Sequence, residues 1–310
     1  MNLKFLALFI LLCNSLCLTA QNKEDSTIKV NENYITLSEI VINNKLDVPS
    51  FIERVKNDTT FYKAFRNLHI IGYTALNDIR MLDKNGNIEA SLRSKTKQVR
   101  NGNCRKMKVL SQTTTGNMYD SKGNFNYYTA QMYAGLFFTK DSVCGENNIV
   151  KGHEFSTKGL SGLEKHKEQL KMLFFNPGKK INGLPFISNK TSIFDELMAD
   201  KYDMNIDYQN YNSIPCYVFT IKVKKGEEND VVIDNMTTWF NSKTFEIVAR
   251  NYSLSYDAEI YDFKVDMEVQ MTKVGDLLVP SVLRYNGNWK AIFKKRERGV
   301  FTATLFDFVR

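Results

Sequence analysis

Tyr261-Asp262-Phe263-Lys264-Val265-Asp266-Met267-Glu268-Val269-Gln270-Met271 is the stretch that decides the fold. Apolar residues hold every odd position, and charged or amide residues hold every even one. Successive side chains of a β-strand point to opposite faces, so this strand has one buried face and one wet face. An antiparallel sheet allows that division, whereas an all-parallel sheet is covered on both faces.

The same pattern spreads outward from this stretch. Upstream, Tyr217, Phe219, Ile221 and Val223 alternate, and Val231–Phe240 and Phe245–Tyr256 flank the turn Asn241-Ser242-Lys243-Thr244. Downstream, Asn286-Gly287 predicts a hairpin joining Leu277–Tyr285 to Trp289–Lys295, and Val300–Phe308 reads as a final strand. Earlier still, Ile71, Tyr73 and Ala75 alternate, as do Ile88, Ala90 and Leu92 beyond the hairpin signal Asn85-Gly86. Lys106–Val109 continues the strand signal, Lys122-Gly123-Asn124 turns the chain into Phe125–Tyr128, and Tyr34–Asn43 reads as one more strand.

Helices are expected in two places. Behind Pro49, Ser50 with Glu53 fits a capping box, and Phe51, Ile52, Val55, Tyr62, Phe65 and Leu68 recur near helical spacing. Asp58-Thr59-Thr60 breaks that helix and caps a second. Ser161 with Glu164 opens a mid-chain helix carrying Leu163, His166, Leu170, Leu173 and Phe174, which Asn176-Pro177-Gly178 ends. Ser192–Ala199 reads as a short helix. The class is therefore α+β: one strongly curved antiparallel sheet with helices covering one face.

Lys4, the apolar run Phe5–Leu18 and the small residue Ala20 read as a cleavable secretory signal over residues 1–20. Residues 21–48 form a polar leader and a short strand, and 49–310 a single α+β domain. Leu12 precedes Cys13 and Leu16 precedes Cys17, which does not support a lipid-attachment signal. The formal charge of +8 suits anionic partners, and equally suits plain solvation. Export argues against nucleic acid. Of five cysteines, Cys104, Cys144 and Cys216 follow the signal, so at most one disulfide forms within the chain. Proximity in sequence favours Cys104–Cys144, and Cys216 reads as a small buried residue in a strand.

No catalytic constellation is legible. Among the three histidines, His153-Glu154 lacks the second histidine of a zinc-protease helix, and His166 lies on an apolar helical face. No metal or cofactor motif is found. Asp262, Asp266 and Glu268 share one strand face, a pattern open to acid–base chemistry or calcium binding and equally required by solvation alone. Lys290, Lys294, Lys295, Arg296 and Arg298 form the densest basic cluster, suited to anionic headgroups or to protection of a sheet edge. Tyr127, Tyr128, Tyr133, Phe137 and Phe138 crowd together as a carbohydrate-stacking platform, a membrane-facing girdle or, most simply, a core hairpin.

Thr238-Trp239-Phe240, a short turn, and Phe245-Glu246-Ile247-Val248-Ala249-Arg250 together resemble an element of the LolA-like proteins, periplasmic lipoprotein carriers and related lipid-binding proteins. Gly275-Asp276-Leu277-Leu278-Val279-Pro280 resembles that family's next element. In composition and in its Ala-Gln signal end, the chain also looks like exported proteins of Bacteroidetes. The LolA-like resemblance implies an incomplete β-barrel whose hydrophobic concave face, lidded by helices, holds acyl chains. Candidate lining residues are Tyr261, Phe263, Val265, Met267 and Val269; their alternation reports burial, which a solid core gives as readily as a cavity.

The expected function is a non-enzymatic cell-envelope protein, periplasmic or outer-membrane associated, that binds a lipid or another hydrophobic ligand. Its partners would be lipid or lipoprotein acyl chains and an anionic membrane surface. Two alternatives stand beside it: a structural or interaction protein with a solid core and a protein partner, and an outer-membrane β-barrel. The oligomeric state is not legible.

Overall fold

The computed structural model describes residues 26–30, 33–139, 141–150, 172–173, 175–181, 187–257, 261–291 and 295–310. The expected signal, Ser161 with His153 and His166, Lys294, and most of the mid-chain helix lie outside the described residues.

The chain opens with β1 (Ser26–Val30) and β2 (Asn33–Leu37), then helices α1 (Glu39–Asn43), α2 (Val48–Asn57) and α3 (Thr60–Asn67). Strands β3 (Gly72–Leu82), β4 (Ile88–Asn101) and β5 (Cys104–Gly116) follow, then α4 (Tyr128–Phe137), the short β6 (Ser142–Cys144) and α5 (Glu196–Ala199). The last third is a meander of β7 (Tyr202–Tyr211), β8 (Ile214–Val223), β9 (Ile233–Asn241), β10 (Ile247–Asp257), β11 (Tyr261–Val274), β12 (Leu277–Ala291) and β13 (Glu297–Val309).

Among the described residues thirteen strands form one sheet, in the order β1-β2-β7-β8-β9-β10-β11-β12-β13-β3-β4-β5-β6. Every junction is antiparallel except β2 with β7. The sheet curls without closing, so the architecture is α+β, an incomplete barrel. β13 closes the chain's path by pairing with β3, Phe301 opposite Ile79 and Ala303 opposite Asn77.

Register aligns the buried face across the strands. One row runs Tyr252, Met267, Tyr285, Phe301, Ile79, Leu92 from β10 to β4. All six are buried. This row lies on the concave face, which α2, α3 and α4 cover. Phe51 of α2 meets the rings of Tyr217, Phe219, Phe240 and Phe245 at centroid distances of 5.3–6.4 Å. Burying such a ring stabilises by roughly 1.5–3 kcal/mol, so this one side chain is a main attachment of α2. Asn67 at the end of α3 donates from Nδ2 to the carbonyl of Leu278 at 2.7 Å, tying that helix to β12.

Several local readings are corrected. The cap of α2 is Asp47, whose carboxylate accepts from the Ser50 amide at 3.2 Å and the Ser50 hydroxyl at 2.7 Å; Ser50 lies inside the first turn. Residues 39–43 are helical, so the strand expected over Tyr34–Asn43 stops at Leu37. Ser26–Val30, within the expected polar leader, is a strand. Asn286-Gly287 is no turn but the middle of β12, for a reason given below. The aromatic run at 127–138 is mainly a helix, not a hairpin. The breaks at Asn57 and at Asn85-Gly86 fall as expected: Thr59 is the N-cap of the next helix, the Asp58 carboxylate accepts from the amide of its first residue Thr60 at 3.1 Å, and Gly86 takes a positive φ of 87°.

Candidate functional site

Phe263, Val265, Met267 and Val269 of β11 all point to the concave face and are buried, between 0% and 7% exposed. Tyr261 begins the same strand, and its side chain lies outside the described residues. The floor around them is shaped by an unusual pair. Gly287 of β12 sits opposite both Val265 and Gly299 of β13. Two facing glycines leave a trough, and the rings of Tyr285 and Phe301 fill it, stacked at 4.7 Å with an interplanar angle of 15°. This is why Asn286-Gly287 misleads as a turn signal: the glycine there provides room for a neighbouring ring rather than a positive φ.

Helix α4 lies over this floor. No charged residue occurs from Phe125 to Thr139, and the helix is apolar on most of its circumference. Tyr128 stacks on Trp289 at 5.1 Å, and Tyr133 meets Phe301 at 4.7 Å. Its first turn is held by Glu297 of β13, whose carboxylate accepts from the amides of Tyr128 at 2.9 Å and Thr129 at 2.7 Å, and from the Thr129 hydroxyl. A carboxylate there satisfies orphan N–H groups and meets the positive end of the helix dipole.

Just beyond the other end of α4, the Thr139 hydroxyl accepts from Arg105, which also donates to Gln98 Oε1 at 3.0 Å and pairs with Glu146. Glu146 in turn lies 2.8 Å from Nδ1 of His69. Burial pushes the His69 pKa down to about 4, against the opposing pull of Glu146, so the ring is neutral. Burial acts to raise the Glu146 pKa, but the hydrogen bond from Arg105 and the charges around it outweigh that and lower it. Next to this cluster a disulfide joins Cys104 to Cys144, at the register position where β5 meets β6. The segment carrying α4 is therefore fastened at both ends.

Open space surrounds this helix. Between α4 and the sheet lie two small hollows, of about 40 Å³ against Met132, Met267, Tyr285 and Phe301, and about 20 Å³ against Phe263, Val265 and Trp289. On the other flank, between α4 and strands β4–β5, is an open groove of about 360 Å³. Met107, Val109, Tyr119, Phe125 and Phe138 give it apolar walls, and Ser94, Thr96 and Gln112 a polar floor. Among the described residues, none that lines it is charged. Asn77 of the neighbouring β3 braces the floor, donating to Ser94 and Thr96 at 3.3 Å each.

Arg250, part of the sequence element quoted above, lies on the concave face and is 5% exposed. Its Nε donates to Thr238 at 2.9 Å, and its guanidinium carbon sits 4.3 Å from the Phe61 ring centroid. Burial lowers its pKa and the charge of Asp58 opposes that. The same carboxylate faces Lys179, whose pKa burial brings down to about 8. These contacts seat the α2–α3 junction on the sheet.

The other sequence candidates fall on the convex face. Asp262 pairs with Arg296, Glu268 with Arg284 at 2.9 Å, and Asp266 accepts from the Ser253 hydroxyl. No group of three or more metal-ligating side chains occurs among the described residues. Of the basic cluster, Lys290 and Lys295 are exposed, Arg296 is neutralised by Asp262, and Arg298 is half-buried. Sequence reasoning missed the groove and α4. The absence of charge from Phe125 to Thr139 was the available signal.

The chain is similar to the crystal structure of a DUF1329 family protein from Desulfovibrio piger (11% identity, 81% of this chain and 93% of that one, TM-score 0.24). It is also similar to a LolA superfamily protein from Nitrosomonas europaea (8% identity, 82% and 93%, TM-score 0.23). A third is a candidate outer membrane lipoprotein-sorting protein domain from Vibrio parahaemolyticus (10% identity, 83% and 88%, TM-score 0.25). With TM-scores this low the superpositions carry no weight for the architecture, which stands on strand order and register. No protein-family model and no curated protein matches the chain. Among the described residues, no helix is long and apolar enough to cross a membrane, which says nothing of strands.

Proposed function

We propose that this chain is a binding protein of the cell envelope, holding a lipid or other hydrophobic ligand on the concave side of its sheet beside α4. The observation that carries the reading is the groove of about 360 Å³ with apolar walls, within the ordinary size range of ligand sites of roughly 300–1,000 Å³. The β11 residues Phe263, Val265 and Met267 line hollows of only about 20 and 40 Å³, continuous in direction with the underside of α4. A ligand would occupy the groove first and reach β11 only where α4 shifts. The described residues of the groove offer hydroxyl and amide groups but no charge, which suits an uncharged or ester-linked chain better than a free carboxylate. The exported location rests on the secretory signal read over residues 1–20.

A second reading, a solid-core interaction protein, draws on the ring pair Tyr285 and Phe301 that fills the trough over the glycines. One experiment separates the two. Residues 21–310 are purified without detergent, weighed by native mass spectrometry and extracted for lipid analysis. A stoichiometric bound lipid is expected. An empty protein that also takes up no added phospholipid or fatty acid would sink the binding reading.

A further inference from the structure

The register of β4 and β5 assembles a cationic surface on the convex face, opposite the groove. Arg93, Lys95 and Lys97 alternate along β4, and Lys106 and Lys108 along β5; all five are exposed. Lys97 pairs directly with Lys108, and Lys106 lies opposite Val99, two positions away. Residues two apart on a strand are about 7 Å apart and neighbouring strands about 5 Å, so five cations share a compact strip. Like charges directly opposite one another destabilise a sheet, and here they are kept.

Among the described residues the strip has little internal compensation. Asp78 lies 3.6 Å from Arg93, but that carboxylate is already held by Arg80 at 2.5 Å. Lys95 lies 6.0 Å from the Phe306 ring centroid. Lysines on an edge strand can also serve to prevent edge-to-edge aggregation. That account covers Lys108, in the part of β5 beyond its pairing with β6, but Lys106 pairs with Ser142 of β6, and Arg93, Lys95 and Lys97 belong to an interior strand flanked by β3 and β5. Leu76 stands opposite Lys95 in register and is 49% exposed, and Leu110, in the β5 bulge, is 52% exposed. Cations set among exposed aliphatic side chains match the headgroup boundary of an anionic leaflet, where charge attracts and short apolar groups insert.

We infer that the convex face of β4–β5 docks on an anionic phospholipid surface. This goes beyond the ligand reading and does not depend on it, because the strip and the groove occupy opposite faces. It also differs from the Lys290–Arg298 cluster, where Asp262 already neutralises Arg296.

The test is vesicle flotation of residues 21–310, using phosphatidylcholine alone and phosphatidylcholine with one-third phosphatidylglycerol. Binding is expected only to the anionic vesicles, weakening as salt is raised. The triple variant Lys95→Gln, Lys97→Gln, Lys108→Gln should lose about five-fold in partitioning per lysine, on the order of 100-fold in all. Lys290→Gln with Lys295→Gln should lose far less, and the groove-filling Gly135→Trp should bind like the parent. Unchanged binding by a folded triple variant would overturn the inference. So would absence of binding to anionic vesicles, including the case where the protein binds heparin instead, which would point to a soluble acidic partner.

Discussion

Gly287 and Gly299 face each other across the β12–β13 ladder, and each lies under the aromatic ring two residues away in its own strand. A Cβ built on Gly287 would come within 2.7 Å of the Tyr285 hydroxyl and 2.9 Å of Val265 Cγ2. On Gly299 it would meet Phe301 Cζ at 3.1 Å and Met81 Sδ at 3.5 Å. Gly287→Ala is therefore expected to overpack the floor and destabilise by about 1–3 kcal/mol, with Gly299→Ala milder. Urea unfolding of the two variants beside the parent checks the order. Equal stability of all three would mean that the rings over the glycines move aside freely.

The disulfide closes the segment that carries α4. Cys104 and Cys144 are separated by 40 residues, and restricting an unfolded loop of that length contributes about 4 kcal/mol by chain entropy. Cys104→Ser with Cys144→Ser should lower the unfolding free energy by an amount of that order. It should also raise hydrogen exchange across 128–139 ahead of the rest of the sheet. A loss spread evenly over the protein would argue that the bridge does not specifically hold the helix.

Acid should loosen the same corner. The His69 pKa is about 4 in the folded protein against 6.5 for the free side chain, so between those values the unfolded chain binds the extra proton. Stability is thus whole above pH ~6.5 and falls as pH drops toward ~4, by on the order of 3 kcal/mol. The lowered pKa of Glu146 adds a loss of the same sign at lower pH. His69→Gln should flatten the slope of unfolding free energy between those pH values. An unchanged slope in that variant would place the acid sensitivity elsewhere.

The sheet was legible because its strands are half-buried. Alternation at 261–271 named β11 and told Phe263 from Lys264, and the register then set those faces side by side. Helix α4 escaped because Tyr127–Phe138 is apolar with no period. A short apolar run of this kind fits a helix or a buried strand equally. Asn286-Gly287 misled because a glycine needed for packing looks like one needed for a turn. The groove draws its walls from β4, β5, the loop after β5 and α4, so no local spacing announces it. The basic strip is visible as Arg93, Lys95, Lys97 and Lys106, Lys108, yet only pairing brings Lys97 against Lys108.

Gly135 offers the sharpest test of the groove itself. It lies inside α4, lines the groove, and a Cβ placed on it would meet nothing within 4 Å. Glycine in a helix interior costs roughly 0.5–1 kcal/mol relative to alanine, so Gly135→Ala should stabilise the protein by up to about that amount. Gly135→Trp should also fold, because its side chain has open space to enter, but it would fill the volume between Phe138 and the Thr96–Gln112 floor. Uptake of a fluorescent acyl ester, measured by titration, should then fall at least tenfold while the melting temperature holds. The alanine variant should bind as the parent does. If the tryptophan variant takes up the probe undiminished, the ligand sits beneath α4 against Met267 and Tyr285, or not on this face at all. Repeating the titration with Met267→Trp would tell those two apart.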